Sequence, residues 1–161
     1  MKITFFTTGG TIDKVYFDKK SEFQVGEPQI AELLREANVC IDYEIRHVMR
    51  KDSLDMDRDD RRLIREHVAS SPGERCIVTH GTDTMIDTAL ALLDVPGKTI
   101  VLTGAMQPAR LRVSDAEFNV GFAIGVVRLL PHGVYIAMNA DVFDPRRARK
   151  NVDLNRFEHL A

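Results

Sequence analysis

The chain has 161 residues, 44% of them hydrophobic and 29% charged, an ordinary globular balance with enough apolar material for one domain to fold unaided. A formal net charge of -2 provides no basic field to draw nucleic acid, and no apolar run approaches the ~20 residues a membrane span needs.

Ile3–Thr8 reads as the first strand, and the segment ahead of it lacks the apolar core and cleavage site of a signal peptide. Pro28–Ala37 reads as a helix, with Pro28 in its first turn and Ile30, Leu33 and Leu34 on one face. Ile41–Val48 alternates as a strand. Asp57–Ser70 is helical, with Leu63, Ile64, His67 and Val68 on an apolar face. Pro72-Gly73, Pro96-Gly97 and Pro131-His132-Gly133 each end a helix and lead into a strand, at Cys76–Thr79, Thr99–Thr103 and Val134–Met138. Between those strands lie helices near Asp83–Leu93 and from Ser114, the second opening on a Ser114–Glu117 capping-box pattern. From Arg146 onward the chain turns polar and irregular, a tail or short capping helix. Repeated strand–helix–strand units predict an α/β fold: a doubly wound, mostly parallel sheet with helices on both faces, in one Rossmann-like domain.

Open sheets of this kind bind ligands at the carboxyl ends of their strands. Here those ends run into Thr7-Thr8-Gly9-Gly10-Thr11, Asp52-Ser53-Leu54-Asp55, Thr79-His80-Gly81-Thr82-Asp83-Thr84, Thr103-Gly104-Ala105-Met106 and Met138-Asn139. Turns and helix caps use the same residue types, but five such ends on one rim favour a site. The glycines lack the spacing of a phosphate cradle. Gly9 and Gly10 instead present Thr11 and hinge the stretch Ile12–Gly26, which is expected to close over a substrate. A threonine hydroxyl becomes a nucleophile when a neighbour takes its proton, and β-branching holds it at low entropic cost. Thr82 lies where backbone N–H groups at a strand-to-helix turn suit an oxyanion, and Asp83 beside it suits a substrate ammonium.

Thr8-Gly9-Gly10-Thr11 and His80-Gly81-Thr82-Asp83-Thr84, each after a strand and in this order, resemble the two motifs of bacterial-type L-asparaginases. Asp52–Met56, Thr103–Pro108 and the stretch from Met138 to Asn151 add to the likeness. It covers residues 1–161 as the family's N-terminal domain, without the second domain of long-form enzymes, and so resembles a short-chain form. The resemblance implies cleavage of the L-asparagine side-chain amide to L-aspartate and ammonia. Thr11 would attack, helped by Tyr16, while Thr82, Asp83 and Lys150 form a second centre in which Lys150 draws the Thr82 proton. Arg147 and Arg149 would help lower the proton affinity of that lysine. Gly10, Ser53, Gly81, Thr82, Asp83 and Ala105 would bind substrate, Ser53 holding its carboxylate. Neither metal nor organic cofactor is implied. A homodimer or homotetramer in the cytoplasm is, with no nucleic-acid or membrane partner. Two departures stand out. Phe23 occupies the place of the loop tyrosine, for which Tyr16 is the substitute, and Leu54 replaces a glutamine. A glutaminase or other amidase is the alternative enzyme, and a non-catalytic amino-acid-binding module the alternative outside catalysis.

Other patterns read as structural. Asp55, Asp57, Asp59 and Glu66 fall at EF-hand spacing, but Asp60 stands where that loop needs glycine, and helix-start carboxylates explain the cluster. Arg146–Arg149 reads as a solvated basic edge, His80 as a packed, backbone-bonded histidine, and His67 as core. Cys40 and Cys76, both in apolar runs, read as two buried thiols in a reducing compartment.

Overall fold

The computed structural model describes residues 1–17 and 22–160. In chain order its elements are β1 (Ile3–Gly9), β2 (Lys14–Phe17), β3 (Glu22–Val25), α1 (Ile30–Glu36), β4 (Tyr43–Lys51), α2 (Arg58–Ser70), β5 (Arg75–Thr79), α3 (Met85–Ala91), β6 (Thr99–Thr103), α4 (Ala116–Leu129), β7 (Gly133–Met138), β8 (Asp141–Phe143), β9 (Ala148–Asn151) and β10 (Arg156–His159). Six of these strands form the main sheet in the order β4-β1-β5-β6-β7-β8. The first five run parallel, and β8 folds back antiparallel to β7 through Asn139 and Ala140, both at positive φ.

Strands buried on both faces need apolar residues at consecutive positions, and successive side chains must point to opposite sides. Phe6, Cys76, Val78, Ile100, Leu102, Ile136 and Met138 face one way, packing with Ile64 and Val68 of α2 and Met85 and Ala89 of α3. Phe5, Ile77, Val101 and Ala137 face the other way, against Ile30, Leu33 and Leu34 of α1 and Val120, Ala123 and Val127 of α4. Helices therefore cover both faces, as the α/β reading requires. Along the chain, β4 joins the sheet on one side of β1 and β5 on the other. The winding direction thus reverses between β1 and β5, where such sheets open a crevice at their carboxyl ends.

Several local expectations are corrected. The chain after Arg146 is neither tail nor helix: β9 and β10 pair as a hairpin whose Phe157 is buried against Phe143. The stretch after Thr11 is a β2–β3 hairpin, and its first residues, Ile12 and Asp13, belong to the interior. No capping box forms at Ser114–Glu117. Asp115 caps that helix without a side-chain bond to it, and the reciprocal box forms at Asp57 and Asp60 of α2 instead. Cys40 is exposed, while Cys76 is buried as expected. His67 is half-buried rather than core, because Ile64 and Val68 alone carry the buried stripe of α2.

Candidate active site

Four loops converge on the crevice between β1 and β5, and close backbone packing holds them there. Gly10 follows β1 with φ of 90°, a conformation that L side chains rarely adopt. A Cβ on it would lie 2.4 Å from the Cα and N of Gly81, so these two backbones touch. A Cβ on Gly81 would in turn lie 2.5 Å from Ser53 Oγ. Thr11 and Thr82 each stand one residue beyond the Gly10–Gly81 contact. Two Cα steps of about 3.8 Å added to that contact hold their Cα atoms within about 12 Å. The β6 end joins through His80 N–H, which donates to Thr103 O at 2.9 Å, two residues before the buried Ala105.

Thr82 is buried at 4% exposure, yet its hydroxyl is engaged by the far end of the chain. Lys150 Nζ donates to Thr82 Oγ1 at 2.8 Å and to Asp83 Oδ1 at 2.6 Å. Hydroxyl, amine and carboxylate thus form one hydrogen-bonded unit across 68 residues of sequence. Lys150 reaches it because β9 alternates its side chains: Arg149 points away to Glu158 of β10. Arg149 is consequently paired with Glu158, which it shares with Arg156, and is turned away from Lys150, contrary to expectation.

His80 is fully buried and neutral. Its Nδ1–H donates to Gly81 O at 2.7 Å, so Nε2 accepts from Thr88 Oγ1 at 2.8 Å. Burial pushes its pKa down to about 4. It is a scaffold for the Gly81 peptide, in agreement with the packed reading. Ser53 is 1% exposed, and its Oγ has no hydrogen-bond partner among the described residues. An orphaned buried hydroxyl costs about 1–3 kcal/mol. Here it is directed at Gly81, and reaching a ligand requires rotation about χ1. Thr84 Oγ1 donates to Ser53 O at 2.8 Å, and Lys14 of β2 pairs with Asp52 at 2.7 Å, so the turn carrying Ser53 is tied to two neighbouring loops. Thr11 is half-buried in a 3-10 turn, Thr11–Asp13. Tyr16 lies in β2 by its backbone, and its side chain falls outside the described residues. A surface depression of about 740 Å³ lies elsewhere, between α1 and Ala109–Leu111, and contains none of these hydroxyls. The candidate site is chosen by its chemistry and not by the size of a hollow.

A polar network invisible to motif reading supports both ends of the crevice. Asn119, buried on α4, donates from Nδ2 to Gly104 O at 3.1 Å and to Asp115 Oδ2 at 2.9 Å, and its Oδ1 accepts from Asn139 N–H at 3.2 Å. Asn139 Oδ1 accepts from Phe157 N–H at 2.9 Å, and Phe157 pairs with Lys150 across the β9–β10 hairpin. Asp115 also holds the N–H groups of Met106 and Gln107, each at 3.0 Å. The available signal is Asn119 directly ahead of the apolar run Val120–Val127, since a buried amide demands partners.

A doubly wound sheet whose reversal point carries hydroxyls, an amine and a carboxylate belongs to the class of open α/β domains, which bind ligands at the carboxyl ends of their strands. More specifically, the chain belongs to the asparaginase family: the family described as Asparaginase, N-terminal, matches residues 2–158. An L-asparaginase of Thermococcus kodakarensis is 31% identical over 99% of this chain and 51% of its own length. A glutaminase-asparaginase of Pseudomonas aeruginosa is 35% identical over 48% of this chain and 23% of its own. Among solved structures, L-asparaginase I from Vibrio cholerae superposes with a TM-score of 0.86 at 26% identity, over 98% of this chain and 51% of that one. The chain thus spans at most about half the length of these relatives.

Proposed function

We propose that this chain is an amidohydrolase that cleaves the side-chain amide of L-asparagine to L-aspartate and ammonia. The observation that carries the reading is the Thr82–Lys150–Asp83 unit, with Lys150 Nζ 2.8 Å from the threonine hydroxyl, one backbone contact away from Thr11. Thr11 Oγ attacks the amide carbon, helped by Tyr16, which relays the Thr11 proton to the departing nitrogen. The resulting tetrahedral centre expels ammonia to leave an ester on Thr11, and water hydrolyses that ester to the carboxylate. A substrate ammonium bound to Asp83 competes with Lys150 for that carboxylate. With that pairing loosened, Lys150 gives a proton up to solvent, and its neutral amine then draws the Thr82 proton as Thr82 takes one from the water that hydrolyses the ester. Ser53, turned off Gly81, receives the α-carboxylate, and the peptides at Gly10, Gly81 and Ala105 line the ligand. Two unpaired thiols, Cys40 and Cys76, fit a reducing, cytoplasmic setting.

Glutamine is the second reading, favoured by the dual name of the Pseudomonas relative. Ammonia release from asparagine, glutamine and small amides lacking an amino-acid head separates the substrates. Thr11→Ala and Thr82→Ala should each lower the asparagine rate by at least about a hundredfold with the fold intact. Near-full activity in both would end the two-hydroxyl mechanism, and calorimetry showing asparagine bound but never consumed would make the chain a binding module.

A further inference from the structure

Two short 3-10 turns present Thr11 and Ser53. The first, Thr11–Asp13, is closed by bonds from Asp13 N–H to Gly10 O at 3.1 Å and from Lys14 N–H to Thr11 O. The second, Ser53–Asp55, is closed by bonds from Asp55 N–H to Asp52 O at 3.0 Å and from Met56 N–H to Ser53 O at 3.3 Å. Lys14 directly follows the first turn, and Asp52 directly precedes the second. Their side chains meet. Lys14 Nζ lies 2.7 Å from Asp52 Oδ2, while Asp52 Oδ1 accepts from Leu54 N–H at 3.1 Å. One carboxylate therefore caps the Ser53 turn and fastens it to the Thr11 turn. Both side chains are largely buried, at 26% and 25% exposure, so salt and water weaken this pair less than an open surface pair. Among the described residues no other ion pair or side-chain hydrogen bond joins the two turns.

We propose that the Lys14–Asp52 pair is a strut that sets substrate length, with Lys14 a positioning residue that makes the site prefer the shorter of two amino-acid amides. The inference rests on the amidohydrolase reading above, in which Ser53 receives the α-carboxylate and Thr11 attacks the side-chain amide. Asparagine and glutamine carry the same two ends and differ by one methylene between them. A substrate anchored by its carboxylate brings its amide to the nucleophile only when the span between the two turns matches its own length. One methylene is worth about 10–200-fold in kcat/KM at a site of fixed shape. The Gly10–Gly81–Ser53 contacts bear on the same span through the loop after β5, whereas the ion pair joins the two turns directly. A lysine committed to Asp52 is also not free to bind the substrate carboxylate itself, and that difference separates the two roles in experiment.

The ratio of kcat/KM for asparagine over glutamine reads the span, and a general loss of active protein leaves it unchanged. Lys14→Met keeps the aliphatic stem and removes the charge. Asp52→Asn keeps the acceptor for Leu54 and removes the opposite charge. Each should lower the ratio by about tenfold. The double variant should lose about as much as either alone, because the two residues act as a unit. Lys14→Arg, which restores the pair, should stay close to wild type. Calorimetry with L-aspartate and L-glutamate gives the corresponding ratio without turnover. A chain that binds aspartate in preference but releases no ammonia would end the amidohydrolase reading, and loss of that preference in Lys14→Met would still support the strut. A wild type that favours neither length, or variants that keep its ratio in both assays, would overturn the proposal. So would tighter asparagine binding in Asp52→Asn, which would make Lys14 a direct carboxylate ligand.

Discussion

At the scale of single residues, the site depends on positions where a side chain would intrude. Gly10 is the clearest case, because its φ of 90° and its contact with Gly81 act together. Alanine there meets the roughly 1–3 kcal/mol penalty of an extended, positive-φ backbone that is essentially glycine-only, and an overlap at 2.4 Å with backbone that has no flexible end to yield. Gly10→Ala should therefore destabilise the protein by about 2–4 kcal/mol. It should also remove most amide hydrolysis even at temperatures where the variant is folded, because Thr11 and Thr82 are pushed apart. Thermal melts and ammonia release on the same preparation check both halves, and an active, fully stable variant would show that the loops do not touch. The two threonine motifs were legible in the sequence because the chemistry demands particular residue types next to glycine. Cys40 and His67 were misplaced for the opposite reason: an apolar neighbourhood in sequence does not say which side of a turn or helix faces inward.

At the scale of elements, Lys150 is only as well placed as the hairpin that carries it. That hairpin is anchored by Phe157, whose ring packs on Phe143 and whose N–H is accepted by Asn139 Oδ1 at 2.9 Å. Asn139 has φ of 55°, so glycine tolerates the backbone while deleting the acceptor, and aspartate keeps an oxygen at the same position. Asn139→Gly should lower kcat by about tenfold with little change in KM, at a stability cost of about 1–3 kcal/mol. Asn139→Asp should recover most of kcat. Equal losses in the two variants would mean that the turn, not the bond to β10, matters. Helices and parallel strands were readable from periodicity and from the Pro-Gly punctuation between them, and the structure places them within a few residues of expectation. The β2–β3 and β9–β10 hairpins were not, because strands of four residues are too short for a period to stand out. What fixes the second hairpin is one buried phenylalanine and one distant asparagine, and neither forms a local pattern.

At the scale of the whole molecule, two buried groups titrate abnormally and oppose each other. Burial raises the Asp13 carboxyl to about 6, against the hydrogen bond from Gln29 N–H and the charge of Arg50. Its Oδ2 has no partner among the described residues. Burial lowers His80 to about 4. Between about 4 and 6 the folded protein holds the Asp13 proton that the unfolded chain has released, so this group costs stability as pH rises through that window. Over nearly the same range the unfolded chain binds a proton at His80 that the folded protein refuses. That contribution is complete above about 6.5 and is lost as pH falls toward about 4. The two slopes nearly cancel in the wild type. Asp13→Asn keeps the acceptor for Gln29 and removes the ionisation, leaving the histidine slope unopposed. Denaturant unfolding should find the variant and wild type separated by little near pH 4. The variant should become the more stable as pH rises, by at most about 3 kcal/mol at pH 7. Taking the difference between the two proteins cancels the exposed carboxylates common to both, so the pH dependence of that difference reports Asp13 alone. A difference that stays flat from pH 4 to pH 7 would place the Asp13 carboxylate in water, and with it the start of the hairpin that follows Thr11.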